Sequence, residues 1–178
     1  MRILVTGSAG FIGFSLSKRL INLGHVVVGL DSMTDHYETK IKVKRNKILE
    51  KYKSFCFYKK DITEINQINE DFDLVIHLAA QAGVRLNYEE HHKYFASNII
   101  GFKSVFDFCV RKKISKLIYA SSSSVYGDKA GILSELEKDL KPVSLYGLTK
   151  KFNEDYSYIY GKKNNINTVG LRFFTVYG

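Results

Sequence analysis

Apolar runs of strand length alternate with stretches of helical periodicity from one end of this sequence to the other, and no other feature constrains its fold as tightly. Strand-like runs fall at residues 2–6, 25–30, 55–58, 73–78, 116–120 and 167–173, and helical spacing covers 11–23, 40–52, 64–69, 88–112 and 145–160. Parallel neighbours cannot be joined by a tight turn. Strands separated by helices therefore predict crossovers, with helices on both faces of one parallel sheet. Six strands in this rhythm suit the doubly wound order 3-2-1-4-5-6, a three-layer α/β/α fold. A length of 178 residues is ample for one such domain, expected over 1–178.

Composition removes several classes. No apolar run approaches the roughly 20 residues of a membrane-spanning helix, and the run from Met1 is broken at Gly7, too early for a secretory signal. Cys56 and Cys109 lie in apolar segments without paired spacing and are expected as reduced core residues. A cytoplasmic protein without a membrane partner fits these features, and no metal site is expected. The formal charge of +9 is concentrated in residues 40–53, with seven basic side chains against one acid. Such a stretch can neutralise nucleic-acid phosphates. Ile41, Ile48, Leu49 and Tyr52 nevertheless leave one side of that helix apolar. The stretch therefore reads as a solvated helix face, and no nucleic-acid partner is expected.

The first candidate chemistry lies in TGSAGFIG, residues 6–13, between a strand and a helix. Gly7 would permit a tight turn, Gly10 a close backbone approach to a pyrophosphate, and Gly13 close helix–strand packing. Amides near Phe11 and Ile12 would meet phosphates at the positive helix end. Asp31, eighteen residues beyond Gly13, ends the second strand, where a carboxylate can accept both hydroxyls of an adenosine ribose. No Lys or Arg occupies 32–35, which favours NAD over its 2′-phosphorylated form. Asp61 and Ile62, after the third strand, either bracket an adenine or serve a simple helix cap.

A second candidate pairs Tyr146 with Lys150, one helical turn apart. An adjacent ammonium favours the phenolate, so a tyrosine of lowered pKa is expected as a proton acceptor. Tyr158 and Lys162 repeat the spacing, but late in the same helix, and Tyr158 reads as a surface or core aromatic. Tyr146 instead opens its helix, shortly after the serine run 121–124 at the carboxyl end of the fifth strand. Ligands of open parallel sheets bind at such ends.

TGSAGFIG, HLAAQAGVR, ASSSSVYG, YGLTK and LRFFTVYG, in that order, closely resemble the extended short-chain dehydrogenase/reductases, an NAD-dependent epimerase/dehydratase family with a Rossmann fold. Among them the motifs look most like UDP-glucuronate 4-epimerases of polysaccharide biosynthesis. The resemblance implies Tyr146 as catalytic base, Lys150 on the nicotinamide ribose, and Ser122 as the catalytic hydroxyl. It implies Leu78, Ala79 and Ala80 along the cofactor, and Gln81, Arg85, Ser123, Ser124 and Thr175 towards a UDP-sugar. Asn98 would brace the site. Nucleotide-sugar 4,6-dehydratases carry an Asp-Glu pair where this chain has Ser123 and Ser124, so epimerisation by reversible C4 oxidation is the implied reaction. Ser15 and Ser32 depart from the usual His and Asn.

Relatives of this kind continue into a smaller carboxy-terminal domain that contacts the sugar. The expectation is an NAD-binding domain without that substrate domain, impaired in turnover alone. The alternative is a non-catalytic NAD-binding scaffold or remnant. A homodimer through helices 88–112 and 145–160 is also implied, with Ile99, Phe102, Val105, Phe106 and Cys109 offering apolar faces, some of which must serve the sheet.

Overall fold

The computed structural model describes residues 1–34 and 38–177. Asp35, in the cation-free 32–35 stretch, and Gly178, closing the last motif, lie outside the described residues. The strands are β1 (Arg2–Thr6), β2 (Val26–Asp31), β3 (Phe55–Lys59), β4 (Leu74–His77), β5 (Lys116–Ser122) and β6 (Asn167–Phe173). They form one sheet in the order β3-β2-β1-β4-β5-β6, every pair parallel, as the sequence predicts.

Strand residues alternate between two cores because successive side chains leave opposite faces. Ile3, Val5, Val27 and Ile76 pack beneath α1 (Phe11–Asn22) and α2 (Thr39–Leu49) with Ile21 and Leu49. Leu4, Val28, Val75 and Leu117 face the other side, towards α4 (Phe102–Arg111), which follows the single turn α3 (His91–Tyr94). Phe102, Val105, Phe106 and Cys109 recur at helical spacing and are almost fully buried there. These residues belong to the sheet core, so the apolar face expected for a dimer is not theirs. A different set is exposed: Ile100 and Val110 before and on α4, and Leu148, Phe152 and Ile159 on α5 (Leu145–Asn164).

Three local differences have clear physical causes. The segment after β3 is a 3-10 helix, Ile62–Gln67, started by a capping box: Thr63 N donates to Asp61 Oδ1 (2.9 Å) and Asp61 N to Glu64 Oε2 (3.1 Å). The stretch 88–112 is not one α-helix. It passes from a 3-10 turn through α3 and a π-helix, Phe95–Gly101, into α4. Apolar spacing alone does not distinguish these windings, and π-helical turns gather at functional sites. α5 runs four residues past the expected end and stops where Asn165 adopts the left-handed conformation (φ 55°, ψ 38°).

Two expectations about side chains are corrected. Cys56 is exposed on the edge strand β3, whereas Cys109 is buried; both are free. On α2 the buried face is Lys42, Asn46 and Leu49, while Ile41 and Ile48 are exposed. Among the described residues no helix is long and apolar enough to cross a membrane, and no cluster of His, Cys, Asp or Glu is placed to hold a metal.

Phe106→Ala should lower unfolding free energy by about 3–5 kcal/mol in urea titration, because it empties a packed site. Ile41→Ala should change it by less than about 0.5 kcal/mol, since that side chain is on the surface.

Candidate functional site

The carboxyl ends of all six strands open onto one cleft of about 650 Å³. β1 lies between β2 and β4, and the chain crosses to opposite faces on either side of it. A doubly wound sheet leaves its crevice at such a point.

The first wall is backbone. Gly7 turns at φ 70°, its N–H donating to Leu30 O (2.7 Å), and Gly10 N closes the turn on Gly7 O (3.0 Å). A Cβ on Gly7 would sit 2.8 Å from Ala79 N, and one on Gly13 only 2.1 Å from Gly7 O. The GxxGxxG spacing therefore lets the start of α1 rest on the turn itself. Phe11, Ile12 and Gly13 line the cleft. The first amides of a helix lack intrahelical acceptors, and they carry the positive end of the helix dipole. No acidic residue occupies that first turn. The arrangement is a cradle for an anion.

Asp31 ends β2 with 5% of its surface exposed. Its Oδ2 accepts from Ala9 N (3.2 Å), while Oδ1 accepts from Met33 N (2.8 Å) and from the Lys42 ammonium (3.3 Å). Asp61 and Ile62 also line the cleft, so Asp61 both caps its helix and reaches the wall.

The opposite wall follows β4. Thr6 Oγ1 accepts from Leu78 N (3.2 Å) and Ala79 N (3.1 Å), and bonds His77 Nδ1 at 2.7 Å. Since that oxygen already accepts two amides, its proton points to Nδ1, and the imidazole is neutral. Burial, helped by the charge of Lys150, pushes His77 down to about 3. Leu78, Ala79, Ala80 and Gln81 continue the wall. Asn98, in the π-helical turn, clamps Gln81 from both sides: Oδ1 accepts from Gln81 N (2.8 Å), and Nδ2 donates to Gln81 O and to Thr149 Oγ1, both at 3.1 Å.

At the far end stand Ser122, Tyr146 and Lys150, all on the cleft wall. Ser144 caps α5 by accepting from Gly147 N (3.0 Å), which places Tyr146 in the first turn. The Lys150 ammonium donates to Ala120 O (2.9 Å), lies 5.7 Å from the Tyr146 ring centre, and is lowered to about 8 by burial. The expected lowering of the phenol is not found. Burial raises Tyr146, a hydrogen bond with Ser122 opposes the rise, and Tyr94 adds to it. Removing a phenolate from water outweighs an ammonium already engaged with a carbonyl. Tyr158 and Lys162 make nearly the same local contact, 5.6 Å, yet Tyr158 is 70% exposed. Burial, not spacing, separates the two pairs.

The sugar-side candidates divide. Gln81 is on the wall, whereas Arg85 and Thr175 are exposed and Ser123 and Ser124 lie in the 3-10 turn after Ser122, outside the lining. Phe174 and Val176 line the cleft on either side of Thr175. Lys42, Lys93 and Ser97 join the wall without a local motif to mark them. A half-buried ion pair also escapes motif reading. Arg172 grips Glu154 through Nε (3.0 Å) and Nη2 (2.9 Å), and Glu154 accepts from Ser121 Oγ (2.5 Å), tying β5, β6 and α5 together. Its one signal is that Glu154 follows Lys150 by one helical turn.

Residues 3–178 match the family described as NAD dependent epimerase/dehydratase family. The chain is 44% identical to Protein CapI of Staphylococcus aureus, over 100% of this chain and 55% of that protein. It is 38% identical to the probable UDP-glucuronate 4-epimerase of Rhizobium meliloti, over 100% and 54%. Among solved structures, it resembles the UDP-glucuronic acid 4-epimerase of Bacillus cereus in complex with NAD (TM-score 0.92, 37% identity, 100% of this chain and 58% of that one). The same enzyme with UDP-glucuronic acid and NAD gives a TM-score of 0.89 at 39% identity, with the same coverage. The chain thus spans a little over half the length of these relatives.

His77 also makes stability depend on pH. Its unfolded imidazole titrates near 6.5 and its folded one near 3, so the unfolded chain binds the extra proton between those values. The share of stability that depends on a neutral His77 is complete above about 6.5 and is lost as pH falls towards 3. Urea midpoints of His77→Gln should decline less steeply than those of the unsubstituted chain across that interval.

Proposed function

The chain belongs to the NAD dependent epimerase/dehydratase family, and from that membership we propose that residues 1–178 form the NAD-binding part of a UDP-glucuronate-type 4-epimerase. The carrying observation is that one cleft joins the glycine cradle and Asp31 to Ser122, Tyr146 and Lys150. The cradle fits the dinucleotide, because Gly7 and Gly13 let the turn close on β4 and the start of α1 close on the turn, which brings the first amides of α1 to the cleft. Amides at Phe11 and Ile12 would hold the pyrophosphate, and Asp31 the adenosine ribose. Asp61 and Ile62 would flank the adenine, with Leu78, Ala79 and Ala80 along the middle and Lys150 at the second ribose.

When bound, NAD would supply a reversible acceptor for the C4 hydride of the sugar. Burial holds the Tyr146 phenol protonated in the chain by itself, so Tyr146 would accept the proton of the 4-hydroxyl only once the positive nicotinamide beside it offsets that burial, and Ser122, hydrogen-bonded to that phenol, would share it. Gln81, with Arg85, Ser123, Ser124 and Thr175, is assigned to the sugar side. Because only Gln81 of these reaches the cleft wall, turnover by this segment alone should be slow. The exposed apolar residues Ile100, Val110, Leu148, Phe152 and Ile159 support a homodimer through helices 88–112 and 145–160. A cytoplasmic role in polysaccharide biosynthesis completes the proposal.

Calorimetry should show one NAD per chain, lost in Gly13→Val. Tyr146→Phe should keep NAD affinity while epimerisation of UDP-glucuronate, followed chromatographically, falls by about 100-fold or more. Absence of NAD binding, or undiminished turnover in Tyr146→Phe, would overturn this assignment.

A further inference from the structure

The segment between β4 and the 3-10 turn at 88–90 carries two of the sugar-side candidates, Gln81 and Arg85. Residues 78–87 form neither helix nor strand, and Ala82, Gly83, Val84 and Arg85 are exposed. The backbone turns at Gly83, where φ is 94°. An exposed segment of this kind is ordered only as far as its hydrogen bonds hold it.

Side chains of one helical run supply such bonds. Asn98 clamps Gln81 at the first end. Tyr94, four residues earlier, reaches the other end. Its hydroxyl donates to Gly83 O (2.5 Å) and accepts from Leu86 N at a longer 3.4 Å. A phenol oxygen can do both at once. Tyr94 is 1% exposed, so its ring is fixed by packing before the hydroxyl makes either bond. Its ring centre lies 6.1 Å from that of Tyr146 and 6.0 Å from that of His91. One buried side chain thus packs beside the candidate reactive phenol and ties residues 83–86 down. Both bonds end on a segment outside the sheet, so their effect falls on the cleft mouth and not on the core.

We propose that Tyr94 is a positioning residue for the sugar: its hydroxyl holds residues 83–86 beside Tyr146, and so sets where Gln81 and Arg85 meet a UDP-sugar. The inference rests on the reading of the cleft given above. A segment held before the ligand arrives loses less freedom when the ligand binds, and affinity rises accordingly. The dinucleotide cradle stands on β1 and α1, away from these bonds, so the effect belongs to the sugar and not to NAD.

Tyr94→Phe removes one oxygen and keeps the ring, and urea midpoints check that the variant is folded. Calorimetry on the whole chain should give an NAD affinity within about twofold of the unsubstituted value. UDP-glucuronate affinity of the NAD-loaded chain should fall by about tenfold, the worth of one or two hydrogen bonds. Amide hydrogen exchange at 82–86 should quicken by a similar factor, with the sheet unaffected. A loss shared equally by NAD and UDP-glucuronate would make Tyr94 a general support of the fold and refute the inference. Faster exchange with unchanged UDP-glucuronate affinity would refute it too. Should Tyr94→Phe not fold, the unsubstituted chain decides: UDP-glucuronate should slow exchange of the Arg85 and Leu86 amides, and unchanged exchange refutes the role. If NAD binds and UDP-glucuronate does not, the sugar-side assignment and this inference fall while the NAD-binding reading stands. If neither binds, all three fall.

Discussion

Where β1 ends, backbone meets backbone without a side chain between. The start of α1 lies on the Gly7 carbonyl at Gly13, and Gly7 itself lies against the Ala79 amide that follows β4. The Thr6 hydroxyl fastens the same corner by receiving the Leu78 and Ala79 amides and bonding His77. Two strands and a helix N-terminus are thereby held within contact distance at the centre of the sheet. The remaining walls are placed relative to this corner: Asp31 through its bond from Ala9, and Gln81 through the chain that continues from Ala79. Widening the corner by one methyl group would move the amides of α1 away from the crevice that they face.

Around this corner the fold buries polar groups that most cores exclude. Asp31 with Lys42 and the neutral pair Thr6 and His77 are each satisfied by a partner, as is the half-buried Glu154 with Arg172. Such pairs add little net stability, because desolvation consumes much of their attraction. They do restrict orientation, since a buried charge that leaves its partner has no water to replace it. Glu154 and Arg172 hold the end of β5 against α5, so Ser122 and Lys150 keep their relation across two elements. Burial also sets the proton affinities here: it lowers His77 and Lys150 and raises Tyr146.

How much of the site could be read from the chain depended on the range of each interaction. The glycine turn, Asp31 at a strand end, and Tyr146 with Lys150 are local patterns, and the structure brings them to one cleft. Lys42 could not be recognised in a run of similar lysines. Its burial depends on where α2 lies against β2, and the expected apolar side, Ile41 and Ile48, faces solvent instead. Cys56 was misplaced for the same reason: an apolar neighbourhood in sequence does not tell an edge strand from a central one. The winding of 88–112 was also undecidable locally, because α-helical and π-helical turns share their apolar spacing over short distances.

By itself the sequence determined the parallel sheet and its strand order, since period, crossover length and glycine positions are properties of neighbouring residues. It also determined which side chains were available for chemistry. Tertiary structure decided which of them are desolvated, which carboxylate oxygen is engaged, and that two Tyr–Lys pairs of equal spacing end in opposite environments. Those outcomes arise from contacts between residues far apart in the chain, and burial, which governs charge and hydrogen bonding, exists only once such contacts have formed.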